Sequence, residues 1–321
     1  MADVKTAVVL GGHGFIGHHM ARRLKSEGYW VRTVDIKDYE YGEPMVDEKI
    51  CADLRDLKIC KSVIPQECDE VYHLAAWMGG AGVIFTGEHD AQIMYDNAQM
   101  DLNVAQACVT NRVKKLFFAS SACIYPEHNQ LDPQNPQCAE DTAYPADPDS
   151  DYGFTKLFGE RLLQAYNRNY GLNIRIARFH NVFGPEGAWN NGKEKAPAAL
   201  CRKVAMAKDG DTIEIWGGGF QTRSFLYIDE CLEGVRRFMA SDFQGPMNIG
   251  SEEMIAINDL ARMAMDIAGK KLEIKNVSGP MGVKGRNSDN ALILEQLGWA
   301  PSQPLRIGIE KLYAWISEQI K

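Results

Sequence analysis

Short apolar runs alternate with amphipathic stretches through the first half of the chain. Thr6–Leu10, Trp30–Asp35, Glu70–Leu74 and Leu116–Ala119 read as strands. Phe15–Glu27, Asp90–Asn111 and Tyr152–Tyr170 return apolar residues every three to four positions and read as helices, with Ile174–Phe179 a further strand. Strands alternating with helices predict βαβ units, hence an α/β fold with a doubly wound parallel sheet. Between Tyr125 and Asp151, Pro126, Pro133, Pro136, Pro145 and Pro148 exclude a regular helix and predict a long surface loop. Past residue 180 the pattern loosens into Gly-rich loops and shorter helices, Ala196–Lys208, Asp229–Ser241 and Asn258–Ala268. This predicts a first domain over 1–180 and a smaller C-terminal substrate-binding lobe over 181–321, with some segments returning to the first domain. The last helix, Leu305–Ile320, sets Ile309, Leu312, Tyr313 and Ile316 on one stripe and should pack back onto the body.

Composition narrows the function classes. Of 321 residues, 45% are apolar and 24% charged, which excludes a fibrous or wholly disordered chain. A formal charge of −8 removes any global attraction for nucleic acid or an anionic membrane, so an anionic ligand must be held locally. No apolar run nears the ~20 residues of a bilayer span, and Met1–Leu10 is too short for a secretory signal, so a cytoplasmic location is expected. The eight cysteines contain no CxxC pair, which predicts reduced thiols and no metal site.

Two constellations carry chemistry. Gly11, Gly14 and Gly17 follow the first strand directly and open the first helix, a Rossmann-type turn in which the backbone can approach a pyrophosphate held on the helix N-terminus. Asp35, 18 residues past Gly17 at the end of the second strand, can accept hydrogen bonds from both hydroxyls of an adenosine ribose and favours NAD. Asp53 is a second candidate for the cofactor, or an ordinary helix cap. Farther on, Tyr152 and Lys156 stand four apart, on one face of a helix. An ammonium beside a phenol lowers a pKa that is ordinarily about 10, making a phenolate that can take a proton from an alcohol as hydride leaves for nicotinamide. Ser120-Ser121 follows the strand Leu116–Ala119, where a hydroxyl can bond the same substrate oxygen.

With the Ala75-Ala76 pair after the fourth strand, these residues in this order resemble the extended short-chain dehydrogenase/reductase family, whose members mostly act on nucleotide sugars. The resemblance covers nearly the whole chain. It implies that Gly11, Gly14, Phe15, Ile16, Gly17, Asp35, Asp53, Leu54, Ala75, Tyr152 and Lys156 bind NAD, and that Ser121 assists proton transfer. It also implies a homodimer through the helix after the fourth strand and the helix bearing Tyr152.

Within the family, Met78-Gly79-Gly80, Cys123, Asn181, Lys195, Arg223 and Arg286 resemble the epimerase branch acting on GDP-mannose. The reaction implied is oxidation at C4, inversion at C5 and C3 beside the ketone by an acid–base pair, Cys123 and Lys195, and re-reduction. Gly80, Ser121, Cys123, Tyr152, Asn181 and Lys195 would line the substrate. Arg223 and Arg286 would offer planar forks to its diphosphate. A UDP-sugar 4-epimerase or a sugar dehydratase would share the cofactor half, and a noncatalytic NAD-sensing protein would share the fold. The first usually needs no acid–base pair beside the ketone; the dehydratases usually carry an acidic pair where this chain has Ala122-Cys123; NAD sensors commonly lack the Tyr or Lys.

Overall fold

The computed structural model describes residues 4–42 and 45–321. Six strands of the first half form one parallel sheet: β1 (Thr6–Leu10), β2 (Trp30–Asp35), β3 (Glu48–Cys51), β4 (Glu70–His73), β5 (Leu116–Ser121) and β6 (Ile174–Phe179). Strands β1, β4, β5 and β6 bury nearly every residue, as strands covered on both faces must. The spatial order β3-β2-β1-β4-β5-β6 reverses between β1 and β4, and sheets of this kind bind ligands outside the strand ends at that reversal. Helices α1 (Phe15–Ser26), α2 (Leu57–Val63), the single turn α3 (Ala81–Ile84), α4 (Asp90–Thr110) and α5 (Asp151–Tyr170) make the crossovers. Helix α5 starts where Ser150 accepts from the Gly153 N–H, and stops at Gly171, whose φ of 69° suits glycine. Strand β3 and helix α2 escape the sequence pattern because four and seven residues are too short to establish a period.

The second half supplies β7 (Val182–Phe183), α6 (Ala196–Met206), β8 (Thr212–Trp216), β9 (Thr222–Ser224), β10 (Leu226–Tyr227), α7 (Ile228–Ala240), β11 (Met247–Ile249), β12 (Met254–Ala256), α8 (Ile257–Ala268), β13 (Glu273–Val277), β14 (Gly285–Arg286), α9 (Ala291–Leu297) and α10 (Leu305–Gln319). Strand β11 pairs with β6 as the seventh strand of the main sheet, and α7 packs against α1, β6 and β11. The remainder makes three small sheets and a packed group of α6, α8 and α10. One apolar cluster runs from Ala7, Val9 and Met20 through Val235 and Ile249 to Leu260 and Ile309. The elements of the second half therefore share one core with the sheet.

The proline-rich segment is irregular, but it is not a plain surface loop. Tyr125, Cys138 and Ala143 bury themselves with Leu157 in an apolar cluster of their own. Carbonyls that no ladder serves are met by side chains: Gln130 Nε2 donates to the Tyr125 and Pro126 carbonyls at 3.0 and 3.2 Å, and Arg178 Nη1 to Glu140 O at 2.9 Å. The Gln130 bonds close the segment on itself, and the Arg178 bond ties it to β6 of the sheet.

Candidate active site

The turn after β1 is shaped by close backbone contact. Gly11 has φ 78°, and a Cβ there would lie 2.6 Å from the Ala75 N; one at Gly17 would lie 2.1 Å from the Gly11 carbonyl oxygen. Helix α1 begins at Gly14 with no side-chain cap, so the N–H groups of its first turn, Phe15 and Ile16 among them, face an open cradle. Asp35 is half-buried at the end of β2, accepting from His13 N at 3.1 Å and Lys37 N at 3.3 Å. A glycine cradle, an uncapped helix start and a carboxylate at the next strand end fit a dinucleotide. Asp53 is already engaged: Arg55 Nε and Nη2 hold its carboxylate at 3.0 and 2.6 Å while Nη1 reaches Asp96 at 2.9 Å. Leu54 is buried beside it, its carbonyl accepting from Asn103 Nδ2 at 3.1 Å.

Three elements bring the reactive side chains together. Ser121 ends β5, and its Oγ accepts from Cys123 N at 3.2 Å. Gly153 lies so close to this turn that a Cβ would be 2.2 Å from the Cys123 carbonyl oxygen, which seats Tyr152 beside Ser121 and Cys123. Lys156 Nζ stands 4.9 Å from the Phe118 ring centroid and 5.8 Å from that of Tyr152. Burial lowers the Lys156 pKa, with Asp101 opposing, and Asp101 itself receives His73 Nε2 at 2.8 Å. Burial raises the Tyr152 pKa, followed by the charge of Cys123, and a hydrogen bond from Ser121 opposes both. The upward direction set by burial runs against the depression that an adjacent ammonium alone would give, because a phenolate loses its hydration in this pocket.

Cys123, buried, receives Arg286 Nη1 on its sulfur at 3.4 Å. Its pKa is raised by burial and then by the Asp149 carboxylate, while Arg286 pulls it back. Lys195 caps α6, and burial lowers its pKa against the attraction of Cys123. Gly80 packs on the same loop: its N–H donates to Lys193 O at 3.1 Å, and a Cβ would lie 2.4 Å from Glu194 O. Asn181, at φ 45°, spends its amide on Ser224 O at 3.0 Å and so ties the end of β6 to β9. The two arginines differ. Arg223 donates only to backbone carbonyls, of Thr222, Met281 and Val283 at 2.7, 3.0 and 2.6 Å, and burial brings its pKa down to about 10, with Arg286 adding to the fall. Its charge lacks a counterion among these partners and suits a diphosphate. Arg286, by contrast, has all three nitrogens on protein partners: Cys123, Gln130 at 2.6 Å, and Asp149 in a buried ion pair.

A model of the NAD dependent epimerase/dehydratase family matches residues 7–250. The chain belongs to this family. Its cofactor is NAD, and the cradle at Gly11–Gly17 fits it. Among curated relatives of this family member, the GDP-mannose 3,5-epimerase of Arabidopsis thaliana is 47% identical over 315 residues, covering 98% of this chain and 82% of its own length. GDP-mannose 3,5-epimerase 1 of Oryza sativa subsp. japonica is 46% identical over 318 residues, with coverage of 98% and 82%. The structure of UDP-glucuronic acid 4-epimerase from Bacillus cereus with UDP-glucuronic acid and NAD matches with TM-score 0.81 at 26% identity, over 98% of this chain and 100% of that one. UDP-glucose 4-epimerase from Thermotoga maritima matches with TM-score 0.86 at 23% identity, over 98% of this chain and 100% of that one, a likeness of fold.

The sequence alone missed Gln130, Asp149, His73 and Asp101. Gln130 and Asp149 lie in the proline-rich run that reads as loop, and no spacing marks them. His73 and Asp101 sit inside a strand and a helix, where only the fold shows that they meet.

Proposed function

We propose that this enzyme is an isomerase that epimerises GDP-mannose at C3 and C5 to GDP-L-galactose, with GDP-L-gulose as the product of C5 inversion alone. The observation that carries the reading is that Cys123 packs against Tyr152 and follows Ser121 in the same turn, with Lys156 one helical turn on from Tyr152, in a chain 47% identical to a GDP-mannose 3,5-epimerase. NAD, when bound, supplies reversible removal of the C4 hydride. Tyr152 takes and returns the proton of the C4 hydroxyl, with Ser121 donating to the same oxygen and Lys156 supplying positive charge close by. The ketone acidifies the C–H bonds at C5 and C3. One of Cys123 and Lys195 removes such a proton, leaving the electron pair in an enolate, and the other delivers a proton from the opposite face. A thiol and an amine whose pKa values burial pushes toward each other suit this exchange. Arg223, whose partners are backbone carbonyls, holds the diphosphate in this reading, whereas Arg286 is spent on Gln130, Asp149 and Cys123.

The enzyme is further proposed to be a cytoplasmic homodimer. Among the described residues no helix is long and apolar enough to cross a membrane. Tyr95, Met94, Leu102, Phe154 and Phe158 leave an exposed apolar face on the packed pair α4 and α5, which a second copy would cover. Proton NMR of GDP-mannose with the enzyme in deuterated water tests the reaction: deuterium at C5 and C3 with GDP-L-galactose appearing is expected. Label at C5 alone would make it a C5 epimerase. No exchange with NAD present, and turnover of UDP-galactose instead, would replace the reading by a UDP-sugar 4-epimerase.

A further inference from the structure

Cys123, in the short turn after β5, is held by a buried polar assembly that comes from other segments. The Arg286 guanidinium is planar, and each of its three nitrogens meets a different partner. Nε donates to Gln130 Oε1 at 2.6 Å, Nη2 pairs with Asp149, and Nη1 points at Cys123 Sγ at 3.4 Å. The side chains of Arg286 and Asp149 are 5% and 1% exposed, and Gln130 is fully buried. Asp149 is itself fixed from two sides. Its N–H donates to Cys123 O at 3.3 Å, and its Oδ1 accepts from Ser150 Oγ at 2.7 Å, the same Ser150 that caps the helix carrying Tyr152.

We propose that Asp149 is a positioning residue for proton transfer: with Gln130 it locks the Arg286 guanidinium so that one N–H is aimed at the Cys123 sulfur, and it thereby sets how tightly that sulfur holds its proton. This deepens the epimerase reading and rests on it for the role of Cys123. When the thiol acts as an acid, its S–H proton goes to the sugar carbon and the thiolate left behind accepts the Nη1–H; when the thiolate acts as a base, the C–H proton returns to sulfur and the electron pair stays in the enolate. An arginine locked by two edges cannot swing to whichever anion is nearest, and Asp149 cancels its charge, so the thiol stays a proton carrier instead of a permanent thiolate. The titratable and charged groups that touch Cys123 or act on it electrostatically are Arg286, Asp149 and Tyr152, with Lys195 and Arg223 coupled to it through charge alone.

The test is the pH dependence of iodoacetamide alkylation at Cys123, followed by mass spectrometry of its peptide in NAD-loaded enzyme, with deuterium exchange into GDP-mannose as a second readout. Asp149→Asn keeps an acceptor for Nη2 but removes the opposing charge, so the alkylation midpoint should fall by about one unit or more. Exchange should slow by about tenfold, with KM for GDP-mannose changed by less than about threefold. Gln130→Leu frees the guanidinium to turn and should move the midpoint upward; it also decides the question if Asp149→Asn does not fold. A midpoint that stays at the wild-type value, or a risen KM with an unshifted midpoint, overturns the proposal. If the wild type exchanges nothing into GDP-mannose but the midpoints move as stated, the epimerase reading fails, and with it the role in proton transfer, while the hold of Asp149 and Arg286 on the Cys123 thiol stands.

Discussion

Replacing Gly153 by alanine separates geometry from stability at this site. The new methyl would lie 2.2 Å from the Cys123 carbonyl oxygen, whereas such contacts essentially never fall under 3.0 Å, so the start of α5 and the Cys123 turn must part by about 0.8 Å. Crowding of this kind costs about 1–3 kcal/mol. Gly153 lies in the first turn of α5, where alanine gains at most the interior preference of about 1 kcal/mol over glycine, so the net loss of stability is about 0–3 kcal/mol. The same shift moves Tyr152 away from Ser121 and Cys123, and a displacement near 1 Å can cost about 100-fold in rate. The assay is kcat for conversion of GDP-mannose, followed by NMR, beside urea unfolding and NAD titration of the same preparation. The expected result is a folded protein that binds NAD and turns over about 100-fold more slowly. Activity within about twofold of wild type would refute the claim that this contact sets the register of Tyr152 against Cys123.

Cys123→Ser and Lys195→Met should each abolish deuterium exchange at C5 and C3 while calorimetry still shows NAD and GDP-mannose binding. Glu160→Gln should destabilise the fold by about 3–5 kcal/mol in urea unfolding, because it leaves Arg178 charged and buried after an ion pair at 2.9 Å is lost. Burial lowers the Lys156 pKa and Asp101 holds it up, so Asp101→Asn should bring it lower still. The ammonium is then lost at lower pH, and the alkaline limb of the kcat profile should move to lower pH; an unmoved limb would show that Asp101 does not act through Lys156.

Much of the fold was legible in the chain because local rules and tertiary structure agree there. The strands β1, β2, β4, β5 and β6 and helices α1, α4 and α5 repeat with clear periods, and a parallel sheet buried on both faces needs those runs. The glycines between β1 and α1 could be read because their chemistry is local: a Cβ at Gly17 would occupy the Gly11 carbonyl. Tyr152 and Lys156 could be read because a helix alone places them on one face. What tertiary structure decided are the meetings of segments far apart in sequence. Strand β11 completes a sheet begun 241 residues earlier at Thr6. Arg286 reads as a free fork for diphosphate, but the fold delivers Asp149, Gln130 and Cys123 to it from a segment more than 130 residues away. Tyr152 reads as a phenol acidified by its lysine, but burial lifts its pKa, since desolvation depends on everything packed around a group and not on its neighbours in the chain. Sequence determines which groups are present and which of them a single helix or turn can pair; only the closed core decides their charge, their partners and the direction in which they point.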